Sequence, residues 1–97
     1  MSLTYQFRLY LNGIESAREL ISQLEVMIKA EVGGQFELEV LEVVDNLQKA
    51  ELDGVLVTPT LIMVSPRPGL KITGKYADKL RLKNLISMAK RDDVEKE

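Results

Sequence analysis

The side chains that most enzymes use for nucleophilic and acid–base chemistry are missing from this sequence. Its 97 residues include no cysteine and no histidine. Without cysteine there is no disulfide, no thiolate nucleophile and no thiolate metal site. Without histidine, the commonest general base and transition-metal ligand are both absent. Carboxylates and lysines remain, but the composition favours binding over catalysis, and we predict no catalytic residue and no cofactor.

Three glutamates in one stretch, Glu37, Glu39 and Glu42, are the candidates for a cation site. Hard cations such as Ca²⁺ prefer several carboxylate oxygens. Two of the three alternate along a predicted strand, the third is out of register, and the spacing matches no known metal site. We therefore expect a solvated strand edge and predict no metal.

Charge and length place the chain among small single-domain proteins, and we predict one domain over residues 1–97. Hydrophobic residues make up 45% of the chain, enough for one core, and the net charge is −2. That balance disfavours nucleic acid and anionic membranes as partners. The sequence shows no secretory signal and no apolar run of about 20 residues, so a cytoplasmic location is expected.

Hydrophobic periodicity predicts an alternation of strands and helices. A period of two predicts a strand over residues 3–11, which Asn12-Gly13 ends. Ser16 and Glu19 have the spacing of a capping box, and the apolar stripe that follows predicts a helix of about 15 residues. Gly33-Gly34 provides its end, because glycine adopts the left-handed conformation common after helices.

The second half of the chain continues the alternation with shorter elements. We predict strands over Phe36–Val44, Thr60–Val64 and Lys71–Thr73, a short helix from Asn46 to Asp53, and a last helix over residues 79–90. Asn46 and Asp78 are the predicted N-caps of the two helices, and Gly54 ends the first of them. Residues 91–97 have no periodicity and are predicted to be a solvated tail.

The predicted order β-α-β-α-β-β-α is that of the thioredoxin-like fold, an α/β domain with a mixed four-stranded sheet. Its first two strands are expected to be parallel and its last two antiparallel. Pro59 precedes a buried strand, where such folds have a cis-proline that leaves backbone groups free to pair with a partner, so we predict a cis Thr58–Pro59 bond. The redox Cys-x-x-Cys is replaced by Asn12-Gly13-Ile14-Glu15-Ser16.

Four short segments form a distinctive set along the chain. They are Leu9-Tyr10-Leu11-Asn12-Gly13 in the first strand and turn, Ser16 to Leu20 at the first helix, the spaced residues Asn46, Gln48, Ala50, Glu51 and Asp53, and Thr58-Pro59-Thr60-Leu61. Together they resemble the KaiB family of circadian-clock proteins, and the resemblance covers residues 4–88. The spaced residues fall where KaiB proteins have Asn-Pro-Gln-x-Ala-Glu-x-Asp.

The resemblance implies a protein that is not an enzyme and that docks on a KaiC-type ATPase, modulating its activity or partner choice in circadian, diurnal or stress signalling. A KaiA-like protein or a histidine kinase is an implied further partner. The implied partner-binding residues are Asn46, Gln48, Lys49, Glu51, Leu52, Asp53, Val57, Thr58 and Pro59.

KaiB proteins can also be metamorphic and rest as an oligomer of a different fold. The implied fold-switch residues are Gly74, Lys75 and Asp78, and Lys75 departs from the family because it stands where KaiB has an aspartate. Leu47 also departs, since it replaces the family's proline after Asn46. Because the helix signal after Asp78 is strong, we expect the thioredoxin-like form, with the KaiB resting fold and a homo-oligomer as the alternative.

Two other functions compete with this interpretation. The chain could be the KaiB-like sensor domain of a signalling protein such as a SasA-type histidine kinase. It could also be a thioredoxin-like transferase, because glutathione-using relatives activate a thiol with a Cys, Ser or Tyr at the start of the first helix, and Tyr10 and Ser16 lie near that place. Transferase activity that Ser16→Ala removes would favour the enzyme.

Overall fold

The computed structural model describes residues 4–73 and 79–95 of the chain. Within these ranges the elements follow the predicted order β-α-β-α-β-β-α, with a single turn of 3₁₀ helix before each of the first two α-helices. The elements are β1 (Tyr5–Leu11), α1 (Arg18–Val32), β2 (Phe36–Glu42), α2 (Leu47–Leu52), β3 (Thr60–Ser65), β4 (Lys71–Thr73) and α3 (Lys79–Glu95).

The four strands form one mixed sheet in the order β2-β1-β3-β4. β1 pairs with β2 in parallel, with Leu9 opposite Val40, and β3 is antiparallel to both β1 and β4. β1 and β3 are therefore interior strands, and the last three residues of β1 and the first four of β3 are buried on both faces. The predicted pairing directions and the thioredoxin-like plan are confirmed.

The main core lies between one face of the sheet and the two long helices. It contains Phe7, Leu9, Leu24, Ile28, Leu61, Met63, Leu82 and Ile86, each at most 2% exposed. Truncating one of these side chains leaves a cavity. Because Leu24 is fully buried, we expect Leu24→Ala to lower the unfolding free energy by about 2–5 kcal/mol. On the opposite face, α2 covers a smaller cluster of Tyr10, Ala50 and Ile62.

The start of α1 differs from the prediction, and the capping box is wrong. The helix begins at Arg18 after a 3₁₀ turn, and its N-cap residue, Ala17, supplies no side-chain cap. The hydroxyl of Ser16 instead donates a 3.0 Å hydrogen bond to the carbonyl of Gly13. Gly13 has a φ of 100°, a left-handed conformation that turns the chain towards Ser16. The hydroxyl of Ser16 is therefore engaged with Gly13 and does not cap the helix.

Element ends account for the other differences. β2 stops at Glu42, two residues before its predicted end, because the next three residues form a 3₁₀ turn. α3 begins at Lys79 as predicted but continues to Glu95, five residues past 90. The solvation of 91–97 stays a prediction, and Gly74, Lys75 and Asp78 lie outside the described residues. None of the helices in the described ranges has the length and apolar character required to cross a bilayer.

Candidate docking surface

The short helix α2 exists because its neighbours fix both of its ends. Asn46 is the residue before its first turn, as predicted, but its side chain gives no cap; its Nδ2 donates to the carbonyl of Glu42 at 2.8 Å. Ala50 is buried against the sheet, whereas Gln48 and Glu51 are exposed. After Asp53, Gly54 has a φ of 72° and reverses the chain, as the sequence predicted.

Apolar side chains are exposed along α2 and the segments on either side of it. Eight large apolar residues are exposed within the described ranges, and five of them lie between residues 44 and 57. We call these five the docking surface; they are Val44, Leu47, Leu52, Leu56 and Val57, exposed by 63%, 64%, 87%, 92% and 51%. Such a concentration on a short stretch is unusual for a protein surface that only faces water.

Two shallow hollows lie along this surface. One, of about 440 Å³, is lined by residues 44–49 and lies beside Val44 and Leu47. The other, of about 210 Å³, has an apolar wall that includes Val43, Val55 and Leu56. Leu52 and Val57 were predicted as contact residues from the sequence, whereas Val44, Leu47 and Leu56 were not. A signal was available, since apolar residues stand in the segments on both sides of a helix of only six residues, which can cover few of them.

The turn that carries Leu52 and Leu56 is tied to β1 through Asp53. The hydroxyl of Tyr10 donates a 2.6 Å hydrogen bond to Oδ2 of Asp53, and Nη1 of Arg8 donates to the same oxygen at 3.1 Å. Asp53 is only 20% exposed at its side chain, so its carboxylate points inward rather than towards a partner. Asp53, which was predicted to contact a partner, therefore lies on the inner side of this surface.

Both partners of Asp53 have shifted acid–base properties. Burial is the main cause that raises the pKa of Tyr10 above its ordinary value, and the hydrogen bond and negative charge of Asp53 add to it. Burial acts in the opposite sense on Arg8, but the hydrogen bond and charge of Asp53 outweigh it and raise the pKa of the guanidinium. Arg8 is therefore a fixed cation and Tyr10 a neutral hydrogen-bond donor over the physiological range.

A second tether holds the same turn from β4, an edge strand of the sheet. The ammonium of Lys71, on β4, donates to the carbonyl of Gly54 at 3.0 Å and lies 3.5 Å from the carbonyl of Asp53. A cation at a helix C-terminus satisfies free carbonyls and interacts favourably with the helix dipole. The turn after α2 is thus held from β1 and from β4.

A chain of ion pairs connects α2 to β2 as well. Glu39 accepts from Nε of Arg8 at 3.3 Å, and the ammonium of Lys49 lies 3.5 Å from its other oxygen. Lys49 was predicted to contact a partner, and its side chain is 40% exposed while engaged in this pair. Such partly exposed pairs contribute at most about 1 kcal/mol each.

A carboxylate binds the loop after β1, where a redox thioredoxin carries its Cys-x-x-Cys motif. Glu42, at the end of β2, accepts hydrogen bonds from the backbone N–H groups of Gly13 at 2.7 Å and Ile14 at 2.9 Å. Glu42 was expected at a solvated strand edge, and this contact with the loop was not predicted. Ser16 is exposed and bonded to Gly13, while Tyr10 lies on the α2 side of the sheet, so the two candidate hydroxyls are not brought together.

The three glutamates that were weighed as a cation site have separate partners. Glu37 accepts from the side-chain amide of Gln6, Glu39 pairs with Arg8 and Lys49, and Glu42 binds the loop before α1. Across residues 4–73 and 79–95, no group of three or more acidic side chains is arranged to hold a metal ion.

The proline at the start of β3 has the predicted geometry. The Thr58–Pro59 bond is cis, and so is Ser65–Pro66 at the end of the strand, which was not predicted. Thr60 is fully buried, and its hydroxyl donates a 2.6 Å hydrogen bond to the carbonyl of Val57. Thr58 and Pro59 are half-buried beside the exposed Val57, so the predicted contact residues occupy one stretch at one edge of the molecule.

Comparison with known structures supports the fold. The N-terminal domain of Synechococcus elongatus SasA superposes with a TM-score of 0.64 at 18% identity, covering 95% of this chain and 88% of that one. The thioredoxin Deadhead of Drosophila gives a TM-score of 0.66 at 15% identity, over 88% of this chain and 80% of the thioredoxin. The architecture is therefore thioredoxin-like.

Sequence comparison identifies the family. The circadian clock oscillator protein KaiB of Gloeothece citriformis is 36% identical over 77 residues, which are 78% of this chain and 73% of that protein. KaiB of Acaryochloris marina is 36% identical over 80 residues, covering 81% of this chain and 77% of the relative. The family model of the KaiB domain matches residues 8–88. The chain therefore belongs to the KaiB family.

Proposed function

We propose that this chain is a non-catalytic docking domain that binds a KaiC-type ATPase through the docking surface and modulates that ATPase's activity or choice of partners in circadian or diurnal signalling. The observation that carries the proposal is the exposure of Leu52 and Leu56, at 87% and 92%, on a turn held by two tethers. The relatives named above are circadian clock oscillator proteins, which supports a role in that kind of regulation.

Burial of these side chains would supply binding free energy. A leucine taken fully out of water contributes about 1.5–3 kcal/mol. Protein interfaces concentrate such contributions in a few well-packed residues, surrounded by contacts of smaller effect. The tethers add to this, because a surface that is already ordered loses less conformational entropy on binding.

The test is to place a charge on the surface without disturbing the fold. We expect Leu52→Asp and Leu56→Asp each to weaken binding to a KaiC-type ATPase at least about tenfold, because an isolated carboxylate is costly to bury. Both side chains are exposed, so the thermal midpoint should change little. Binding is measured by calorimetry with the purified ATPase.

Val26→Asp provides the matched control. Val26 is 69% exposed on α1, away from the docking surface, so the same change of chemistry there should leave binding intact. Normal affinity of both leucine variants, or an equal loss in the Val26 variant, would contradict the proposed surface.

The same geometry argues against a transferase. A thiol-activating hydroxyl must reach the substrate sulfur, whereas the phenol of Tyr10 is buried and bonded to Asp53. We expect neither glutathione-transferase nor disulfide-reductase turnover from the purified chain. Activity that disappears in Ser16→Ala would contradict this part of the proposal.

A further inference from the structure

The charges around the docking surface divide into two groups. Three cations hold α2 and the turn after it, and each is engaged within the chain. Arg8 bonds Asp53 and Glu39, Lys49 pairs with Glu39, and Lys71 donates to the carbonyl of Gly54. These cations are therefore poorly placed to meet an acidic partner.

The acids on the same surface are in the opposite situation. Asp45 and Glu51 are exposed, and within the described part of the chain neither carboxylate takes part in an ion pair or a side-chain hydrogen bond. Asp45 lines the same hollow as the exposed Val44 and Leu47, and Glu51 directly precedes the exposed Leu52 at the end of α2. The surface thus combines apolar side chains with uncompensated negative charge.

We propose that the partner region seated on this surface is apolar at its centre and carries lysine or arginine at its rim, facing Asp45 and Glu51. A partner that covers Val44 and Leu52 must also take water from the neighbouring carboxylates, and that desolvation is unfavourable unless a cation replaces the water. An acidic partner would be rejected by the same charges, so the arrangement selects among partners as well as attracting one.

This inference rests on the proposed function, since it specifies the chemistry recognised at the same surface. It is tested with the double variant Asp45→Lys/Glu51→Lys, whose affinity for the KaiC-type ATPase is measured by calorimetry. Reversing both charges removes two attractions and adds two repulsions, and we expect affinity at low salt to fall about tenfold. Wild-type affinity should decrease as salt rises from about 50 to about 300 mM, whereas the affinity of the variant should stay level or increase, because salt also screens the two added repulsions.

The control carries the same change of net charge elsewhere. Glu19→Lys/Glu25→Lys alters two exposed acids of α1, which packs on the other face of the sheet. It should bind like the wild type, and circular dichroism should show that both double variants are folded. Salt dependence equal in both variants shows only a general effect of net charge and would overturn the inference.

The outcomes also distinguish a failure of this inference from a failure of the proposed function on which it rests. If Leu52→Asp abolishes binding while Asp45→Lys/Glu51→Lys binds normally, the docking surface stands and the basic rim is wrong. If neither change affects binding, the proposed docking surface itself fails. Stronger binding by the lysine variant would show a partner with an acidic rim, and would also overturn the inference.

Discussion

The phenol of Tyr10 and the carboxylate of Asp53 are joined by a 2.6 Å hydrogen bond although they lie 43 residues apart in the chain. Tyr10 is fully buried on an interior strand, and Asp53 is the residue after the last turn of α2. The bond therefore fixes the turn between Leu52 and Leu56 to an interior strand of the sheet. It gives Asp53 a positioning role for this turn.

We expect the two groups to be energetically coupled. Tyr10→Phe should lower the unfolding free energy by about 1.5–3 kcal/mol, because it removes a hydrogen bond to a charged acceptor. Asp53→Asn also weakens the contact with Arg8. In a double-mutant cycle followed by urea denaturation, a coupling of at least about 1 kcal/mol is expected. Strict additivity of the two losses would contradict the role of the bond.

The raised pKa of Tyr10 predicts a decline in stability at alkaline pH. Below the unfolded-state pKa of about 10 the phenol is protonated in both states and its contribution is complete. Above it, the unfolded chain releases the proton while the folded chain retains it, so unfolding becomes easier as pH rises towards the higher folded pKa. Denaturation at pH 8 and at about pH 11 should show a smaller decline for Tyr10→Phe than for the wild type. Equal declines would contradict the assignment.

Glu42 should be important for stability although it lies at a strand end. Its two oxygens satisfy the N–H groups of Gly13 and Ile14, and Glu42→Ala leaves both without this partner. We expect a loss of about 2–3 kcal/mol in unfolding free energy. Glu42→Gln keeps one acceptor oxygen and should recover part of it.

The control for Glu42 is an exposed glutamate of the same strand. Glu37→Ala should change the unfolding free energy by no more than about 0.5 kcal/mol, since Glu37 is exposed and its hydrogen bond is to the exposed amide of Gln6. A similar effect of both alanine variants would show that the loop contact has no special weight.

Lys71 should act on the dynamics of α2 more than on global stability. Lys71→Met keeps an apolar stem of similar length but removes the donor to the Gly54 carbonyl. We expect faster amide hydrogen exchange at Gly54 and Val55, whose N–H groups bond the carbonyls of Glu51 and Ala50. Exchange in β1 and β3 should be unchanged, and a uniform increase across the chain would instead indicate global destabilisation.

Sequence patterns predicted the parts of this molecule that depend on local periodicity. The alternation in β1, the apolar stripe of α1 and the proline before β3 each have one physical explanation, and these elements were found within two residues of their expected ends, apart from the failed cap at Ser16. The family resemblance supplied the expectation that the segment around α2 binds a partner, which periodicity alone would not have indicated.

The rest could not be predicted because it depends on contacts between distant residues. Nothing near Glu42 in the chain indicates that Gly13 and Ile14 will lie against it, since the contact spans 28 and 29 residues. The inward orientation of Asp53 likewise depends on Arg8 and Tyr10 of another strand. An aspartate after a short helix is usually solvated, and only the assembled sheet shows which acids are engaged and which remain free.

Gly54 has a consequence for how this surface can diversify. Its φ of 72° favours glycine over residues with a β-carbon, and an added β-carbon would lie 2.9 Å from the ammonium of Lys71 and displace that flexible side chain from the turn. Position 54 is therefore constrained by its backbone conformation, whereas Leu52 and Leu56 on either side of it are largely exposed. Few internal contacts restrict these two leucines. Under the proposed function, we expect changes at the two leucines to alter which partner is recognised while the fold is retained.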